Sequence, residues 1–164
     1  MTNTRLLKGF EVELFTGTFS GKNVGVASAI TDDLSEFVKE PDQRNLEYIT
    51  VPDTRYSVLK AGLLLPRQKL RQWLERQKLT ILPGSTLSLG NTKIFERSDY
   101  QNSYHSFIEK NYGTNVVTAS IHINLGIDNL SLLFSALRLV RCEASLFLAL
   151  SASSPFLEGK ATGA

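Results

Sequence analysis

Apolar and polar positions alternate in two stretches of the chain and recur at helical spacing in others, and their order outlines a fold. In KGFEVELFTG, Phe10, Val12 and Leu14 alternate with Glu11 and Glu13. A strand there buries the first set and turns both carboxylates to the opposite face, with their Cα atoms roughly 6.5–7 Å apart. After the turn-rich TGTFSGKNVG, the segment TDDLSEFVKE offers Thr31 as an N-cap, an acidic first turn and Leu34, Phe37 and Val38 on one side, which predicts a short helix. NLEYITVP predicts a strand closed by Pro52. Asp53 is then placed to cap a long helix in which Tyr56, Leu59, Leu63, Leu70, Trp73 and Leu74 return near helical period, with Pro66 set to kink or divide it. LTILPG reads as a short strand or extended segment, STLSLGNTKIFERSDYQN as a long polar loop, and Tyr104 to Lys110 as a short helix.

The second alternating stretch is VVTASIHINLG. Val117, Ala119, Ile121, Ile123 and Leu125 form one apolar face, and Thr118, Ser120, His122 and Asn124 form the other. A plain solvent face collects Lys, Glu and Thr, whereas Ser, His and Asn are short, directional hydrogen-bonding groups suited to a lined cavity. One sheet presenting a functional face accounts for both alternating strands. The run from Leu130 to Leu150 is apolar but carries Arg138, Arg141 and Glu143 near its middle, where a membrane span is most heavily penalised. It reads as a buried helix whose charges must pair with one another or with a loop.

Composition narrows the class. At 164 residues and 42% hydrophobic content the chain is expected to form a single domain, residues 1–164, around one core. A net charge of +2 without blocks of one sign disfavours nucleic acid as a partner. The lone Cys142 makes no intramolecular disulfide, and MTNTRLLKGF lacks the apolar core of a signal peptide, so a cytoplasmic, non-membrane protein is expected. Each candidate residue also has a bland reading. Glu11 and Glu13 read locally as a wet strand face, His122 as a structural histidine, and Glu40 and Glu47 as a helix-end and an edge-strand charge. His105 is expected in an exposed helix and is assigned no role. LPGSTLSLG has glycines and hydroxyls but no P-loop spacing. Locally, the chain reads as an α+β domain with an acidic patch able to hold a cation.

In order and character, KGFEVELFTGT, KEPDQRNLEYITVP, LPGSTLSLG, YGTNVVTASIHINLGI and RLVRCEASLFLALSASSPFLEGKATG resemble segments of glutamate–cysteine ligases of the cyanobacterial type, a branch of the carboxylate-amine ligases. The resemblance runs from about Lys8 to Gly163. It implies an α+β fold with a curved, mainly antiparallel sheet of the glutamine-synthetase-like ligase kind, helices on its apolar face and carboxylates on the other. About four strands are expected, beginning near Lys8, Leu46, Leu79 and Asn115. The family continues beyond these segments, so the chain is expected to be its N-terminal part, with an unpaired sheet edge, the remainder lying in a C-terminal half or a second chain, and little activity alone.

The resemblance also implies chemistry. Such a ligase uses ATP to convert the γ-carboxyl of glutamate to an acyl phosphate, which the amine of cysteine attacks, the first step of glutathione biosynthesis. Mg²⁺ held by carboxylates neutralises charge on the phosphate oxygens. Glu11, Glu13 and Glu47 match the acidic positions expected to hold Mg²⁺, with Glu40 as a fourth. His122 matches the strand histidine beside the phosphates and metals, and is expected in a catalytic role. Asn124, Ser85 and Thr86 are expected to contact substrate or nucleotide. A related ligase using another amine, and a remnant that binds metal or glutamate without turnover, share all of these residues.

Overall fold

The computed structural model of the chain describes residues 6–87, 89, 92–153, 156–157 and 160–161. In chain order its elements are β1 (Leu7–Gly17), α1 (Ala27–Asp33), β2 (Phe37–Lys39), β3 (Asn45–Ile49), α2 (Tyr56–Arg76), β4 (Thr80–Leu82), α3 (Ser103–Tyr112), a 3₁₀ turn at Gly113–Val116, β5 (Ile121–Gly126), α4 (Leu130–Cys142) and α5 (Ala144–Ser151). A small hairpin of β6 (Phe156–Leu157) and β7 (Lys160–Ala161) follows. The fold is α+β. β1 is its central strand, pairing with β3 along one side and, along the other, with β5 over its first half and β4 over its last residues. β2 extends the sheet beyond β3, and every pair of strands in this five-stranded sheet is antiparallel.

The alternation in β1 sorts its side chains as its sequence predicts. Val12 and Leu14 are buried with Phe37, Leu46 and Tyr48 of the neighbouring strands, and Ile30 of α1 and Leu70, Trp73 and Leu74 of α2 close this core. Two polar contacts pin the helices. Trp73 Nε1 donates to Asp33 Oδ2 at 2.6 Å, joining α2 to α1, and the buried Tyr48 hydroxyl donates to the Leu63 carbonyl at 2.8 Å. By the same alternation Phe15 lies on the face of Glu11 and Glu13, where it packs with Leu82, Leu87, Val117 and Ala119. This second cluster covers one end of the glutamates' face and leaves the rest open.

Several expectations need correction. The helix predicted from Thr31 lies earlier, at Ala27–Asp33, and Phe37 and Val38 belong to β2. Phe37 faces Tyr48 across the ladder, edge to face at 5.6 Å, so cross-strand packing overrides the local helical spacing. The sheet therefore has five strands, one more than expected. α2 runs unbroken through Pro66. The residue four positions before that proline is Gly62, and tertiary packing holds the turn. Asp53 does not cap α2, which begins at Tyr56 without a side-chain cap; it accepts from the Arg55 N–H at 2.7 Å and pairs with the Arg55 guanidinium. Val117 and Ala119 precede β5 and do not share its apolar face. His105 is buried, at 5% exposure.

The largest correction concerns the apolar run from Leu130. It forms two helices broken at Glu143, and all of α5 and all of α4 except Leu133 and Ala136 are exposed. Arg138, Arg141 and Glu143 are not a buried network. Nothing among the described residues covers these helices, so their charges keep their water. No described helix is long and apolar enough to cross a membrane. Ser88, Gly90 and Asn91 of the polar loop, and Ser154 and Pro155 of the Ser-Pro-Phe run, lie outside the described residues.

Candidate metal centre and its cleft

The register of the ladder assembles the site. Glu13 lies directly opposite Glu47 on β3, and Glu11 lies opposite His122 on β5, so all four side chains share one face. Val38 pairs with Glu47, and two residues on, just past β2, alternation returns Glu40 to the same face. Glu13, Glu40 and Glu47 each bring a carboxylate oxygen within 4.8 Å of the other two. Repulsion and burial mark this group. Burial, followed by the charges of Glu13 and Glu47, pushes Glu40 up to about 7, and burial followed by Glu11 and Glu13 raises Glu47. Three hard oxygen donors at this spacing suit Mg²⁺ better than a soft metal. A cation at this point would relieve the part of the Glu40 and Glu47 shifts that comes from neighbouring carboxylates.

Glu11 stands beside this group. Its Oε2 receives His122 Nδ1 at 2.8 Å and its Oε1 receives Asn124 Nδ2 at 3.0 Å, and these bonds, the histidine's first, hold its pKa below the ordinary carboxylate value. Ser120 links the two carboxylates of β1. Its N–H and hydroxyl approach Glu13 Oε2 at 2.8 and 3.1 Å, and its hydroxyl lies 2.9 Å from His122 Nε2. If the hydroxyl donates to Glu13, His122 must donate from both ring nitrogens, and so must be the imidazolium. The Glu11 hydrogen bond, with the charge of Glu13 after it, raises the His122 pKa in the same direction. The line Asn124–Glu11–His122–Ser120–Glu13 thus runs as one hydrogen-bonded chain beside the carboxylate group while staying half open to solvent.

A cleft of about 810 Å³ opens from Glu13 and Ser120. It is lined by Ser85 and Thr86 of the loop after β4, and by Arg67 and Arg71 on successive turns of α2. Ser85 and Thr86 are fixed by their backbones: the Ser85 carbonyl accepts from Ala119 N at 3.0 Å, and Thr86 bridges to Thr118. The structure therefore groups Glu13, Glu40 and Glu47, sets Glu11, His122 and Asn124 along their flank, and places Ser85 and Thr86 on the cleft wall. Sequence reasoning gave no role to Arg67, Arg71 or Ser120. For Ser120 the alternation that singled out His122 was the available signal; for the arginines, exposed on a long helix, there was none.

Solved structures share this fold. A bifunctional glutathione synthetase from Pasteurella multocida matches with a TM-score of 0.63 at 20% identity, over 82% of this chain and 19% of that one. A glutamate–cysteine ligase from Francisella tularensis, solved in complex with AMP, matches with a TM-score of 0.60 at 20% identity, over 84% of this chain and 30% of that one. The fold is thus that of enzymes of this ligase kind, and the chain spans less than a third of the length of either. No curated protein matches the sequence. The family model for glutamate-cysteine ligase family 2 matches residues 7–163, and the chain belongs to that family.

Proposed function

We propose that this chain supplies the cation-binding and carboxylate-activating face of an ATP-dependent ligase that joins the γ-carboxyl of glutamate to the amine of cysteine through γ-glutamyl phosphate. The observation that carries the reading is the convergence of Glu13, Glu40 and Glu47 from three neighbouring parts of one sheet, within 4.8 Å of one another, with Glu13 also lining the cleft of about 810 Å³. Membership of the family and the AMP complex of the Francisella ligase support ATP as the nucleotide. Mg²⁺, when bound, supplies charge neutralisation at the phosphoryl oxygens. Glu13, Glu40 and Glu47 would hold it. His122, whose pKa the Glu11 hydrogen bond raises, would when protonated place positive charge beside the transferring phosphoryl group, and Asn124 fixes the carboxylate that orients it. Ser85 and Thr86 would contact the nucleotide or substrate from the cleft wall.

An acyl phosphate must be kept from water. His122 is 51% exposed and Glu11 35% exposed, so the face as it stands excludes water poorly, and this chain is expected to bind metal and nucleotide without appreciable turnover. Calorimetry on the purified chain tests the reading. ATP should bind more tightly with Mg²⁺ than without, and Glu13→Gln should remove that difference. ATP binding indifferent to both contradicts the assignment. Formation of ADP and γ-glutamylcysteine together at about 1 s⁻¹ or faster would instead show that the chain suffices for catalysis.

A further inference from the structure

Glu40 differs from the other two members of the carboxylate group in lying outside any strand, so its place depends on what holds the turn after β2. That turn is clasped by the segment 94–98. The buried Asp42 and Arg44, each 1% exposed, form an ion pair at 2.7 Å. Asp42 also accepts from the Glu96 N–H at 2.9 Å, and Arg44 donates to the Ile94 carbonyl at 2.8 Å. Ser98 sits at the hub. Its N–H donates to the Pro41 carbonyl at 3.0 Å, its hydroxyl donates to the Glu40 carbonyl, and its own carbonyl accepts from the Ser28 hydroxyl at 3.4 Å. The Ser98 hydroxyl has one proton, and the Glu40 carbonyl can only accept. His105 Nδ1, 3.2 Å from that hydroxyl and buried on α3, must therefore be the donor. Burial lowers the His105 pKa, consistent with a neutral ring carrying its proton on Nδ1.

We propose that Ser98 and His105 are positioning residues for Glu40: His105 Nδ1–H fixes the Ser98 hydroxyl, which fixes the Glu40 backbone and so aims its carboxylate at Glu13 and Glu47. The proposal rests on the metal reading of those three glutamates. Partners that orient a ligand without touching the metal commonly govern affinity by 10–100-fold. The chemistry is specific to one ring nitrogen, because an asparagine amide can replace Nδ1–H whereas a glutamine amide reaches the position of Nε2.

The test is titration of the full chain with Mn²⁺, followed by electron paramagnetic resonance of the free ion, alongside thermal unfolding without metal. Ser98→Ala and His105→Gln should weaken Mn²⁺ binding by about tenfold or more, and His105→Asn should stay close to the unmodified chain. Equal losses in His105→Asn and His105→Gln, or unchanged affinity in Ser98→Ala, would overturn the proposal. Should Ser98→Ala fail to fold, the two histidine variants decide it. Glu40→Gln, run in parallel, separates the two claims. If it leaves Mn²⁺ affinity unchanged, the metal reading of Glu40 falls and this inference with it; if it weakens binding while Ser98→Ala and His105→Gln do not, only the positioning role falls.

Discussion

The two sides of β1 are built differently. Toward β3 and β2 the sheet is packed on α1 and α2, and Val12, Leu46, Leu70 and Leu74 are at most 2% exposed. Toward β5 the packing stops: Ile121, Ile123 and Leu125 are 59%, 65% and 48% exposed, and α4 and α5 lie open beyond them. Both sides contribute to the polar face, but unequally. The three converging carboxylates stand on the packed side and on β1 itself, whereas His122 and Asn124 stand on a strand that, among the described residues, pairs along one edge only. Metal affinity should therefore be a property of the rigid side. The hydrogen-bonded line through His122 should be the more mobile part.

The largest contrast is in stability. Leu46→Ala or Leu70→Ala should cost about 2–5 kcal/mol, while Leu148→Ala on α5 should change stability by less than about 0.5 kcal/mol, both read from urea unfolding of the chain. Comparable losses on the two sides would mean that α5 is buried in solution. Next in size, Glu13→Gln should weaken Mn²⁺ binding by at least about tenfold, roughly 1.4 kcal/mol, without loss of metal-free stability, because it relieves repulsion among the carboxylates. Unchanged affinity removes Glu13 from the site.

A smaller effect follows from protonation. Glu40 and Glu47 have folded pKa values raised above 4.5, Glu40 to about 7. Their contribution to metal-free stability is therefore fully present below about pH 4.5 and is lost as pH rises, for Glu40 through about pH 7. Glu40→Gln should accordingly be more stabilising at pH 8 than at pH 5 relative to the unmodified chain, as followed by thermal midpoints. A difference independent of pH would place Glu40 in ordinary solvent. The smallest expected effect is at Glu143, where Glu143→Ala should shift stability by less than about 0.5 kcal/mol, since the residue is exposed between two uncovered helices. A loss of 3 kcal/mol would signal the buried pairing that its apolar surroundings in sequence first suggested.

What was legible in the sequence follows the same divide. Period-two alternation placed Glu11 and Glu13 on one face of β1, and His122 and Asn124 on one face of β5, because burial on a single side of a strand writes itself directly into the chain. Glu40 was harder. It sits past the end of a three-residue strand that local spacing assigns to a helix, and only pairing with β3 brings it round to Glu47. The clasp of Asp42, Arg44, Ser98 and His105 was invisible because the contacts that join the turn at 40–44 to the segment 94–98 relate parts of the chain that no periodicity connects. The apolar run of α4 and α5 misled in the opposite direction, since hydrophobicity reports what a segment would bury and not whether anything covers it.

The central claim is that Glu13, Glu40 and Glu47 form one divalent-cation site on the packed side of the sheet. Crystals of the chain soaked in Mn²⁺ and measured for anomalous scattering test it most directly. The account predicts a single strong peak bonded to carboxylate oxygens of all three residues at about 2.0–2.2 Å, the distance expected for a small hard cation. A peak held instead by Glu11, His122 and Asn124, or no peak on this face at saturating Mn²⁺, would contradict it.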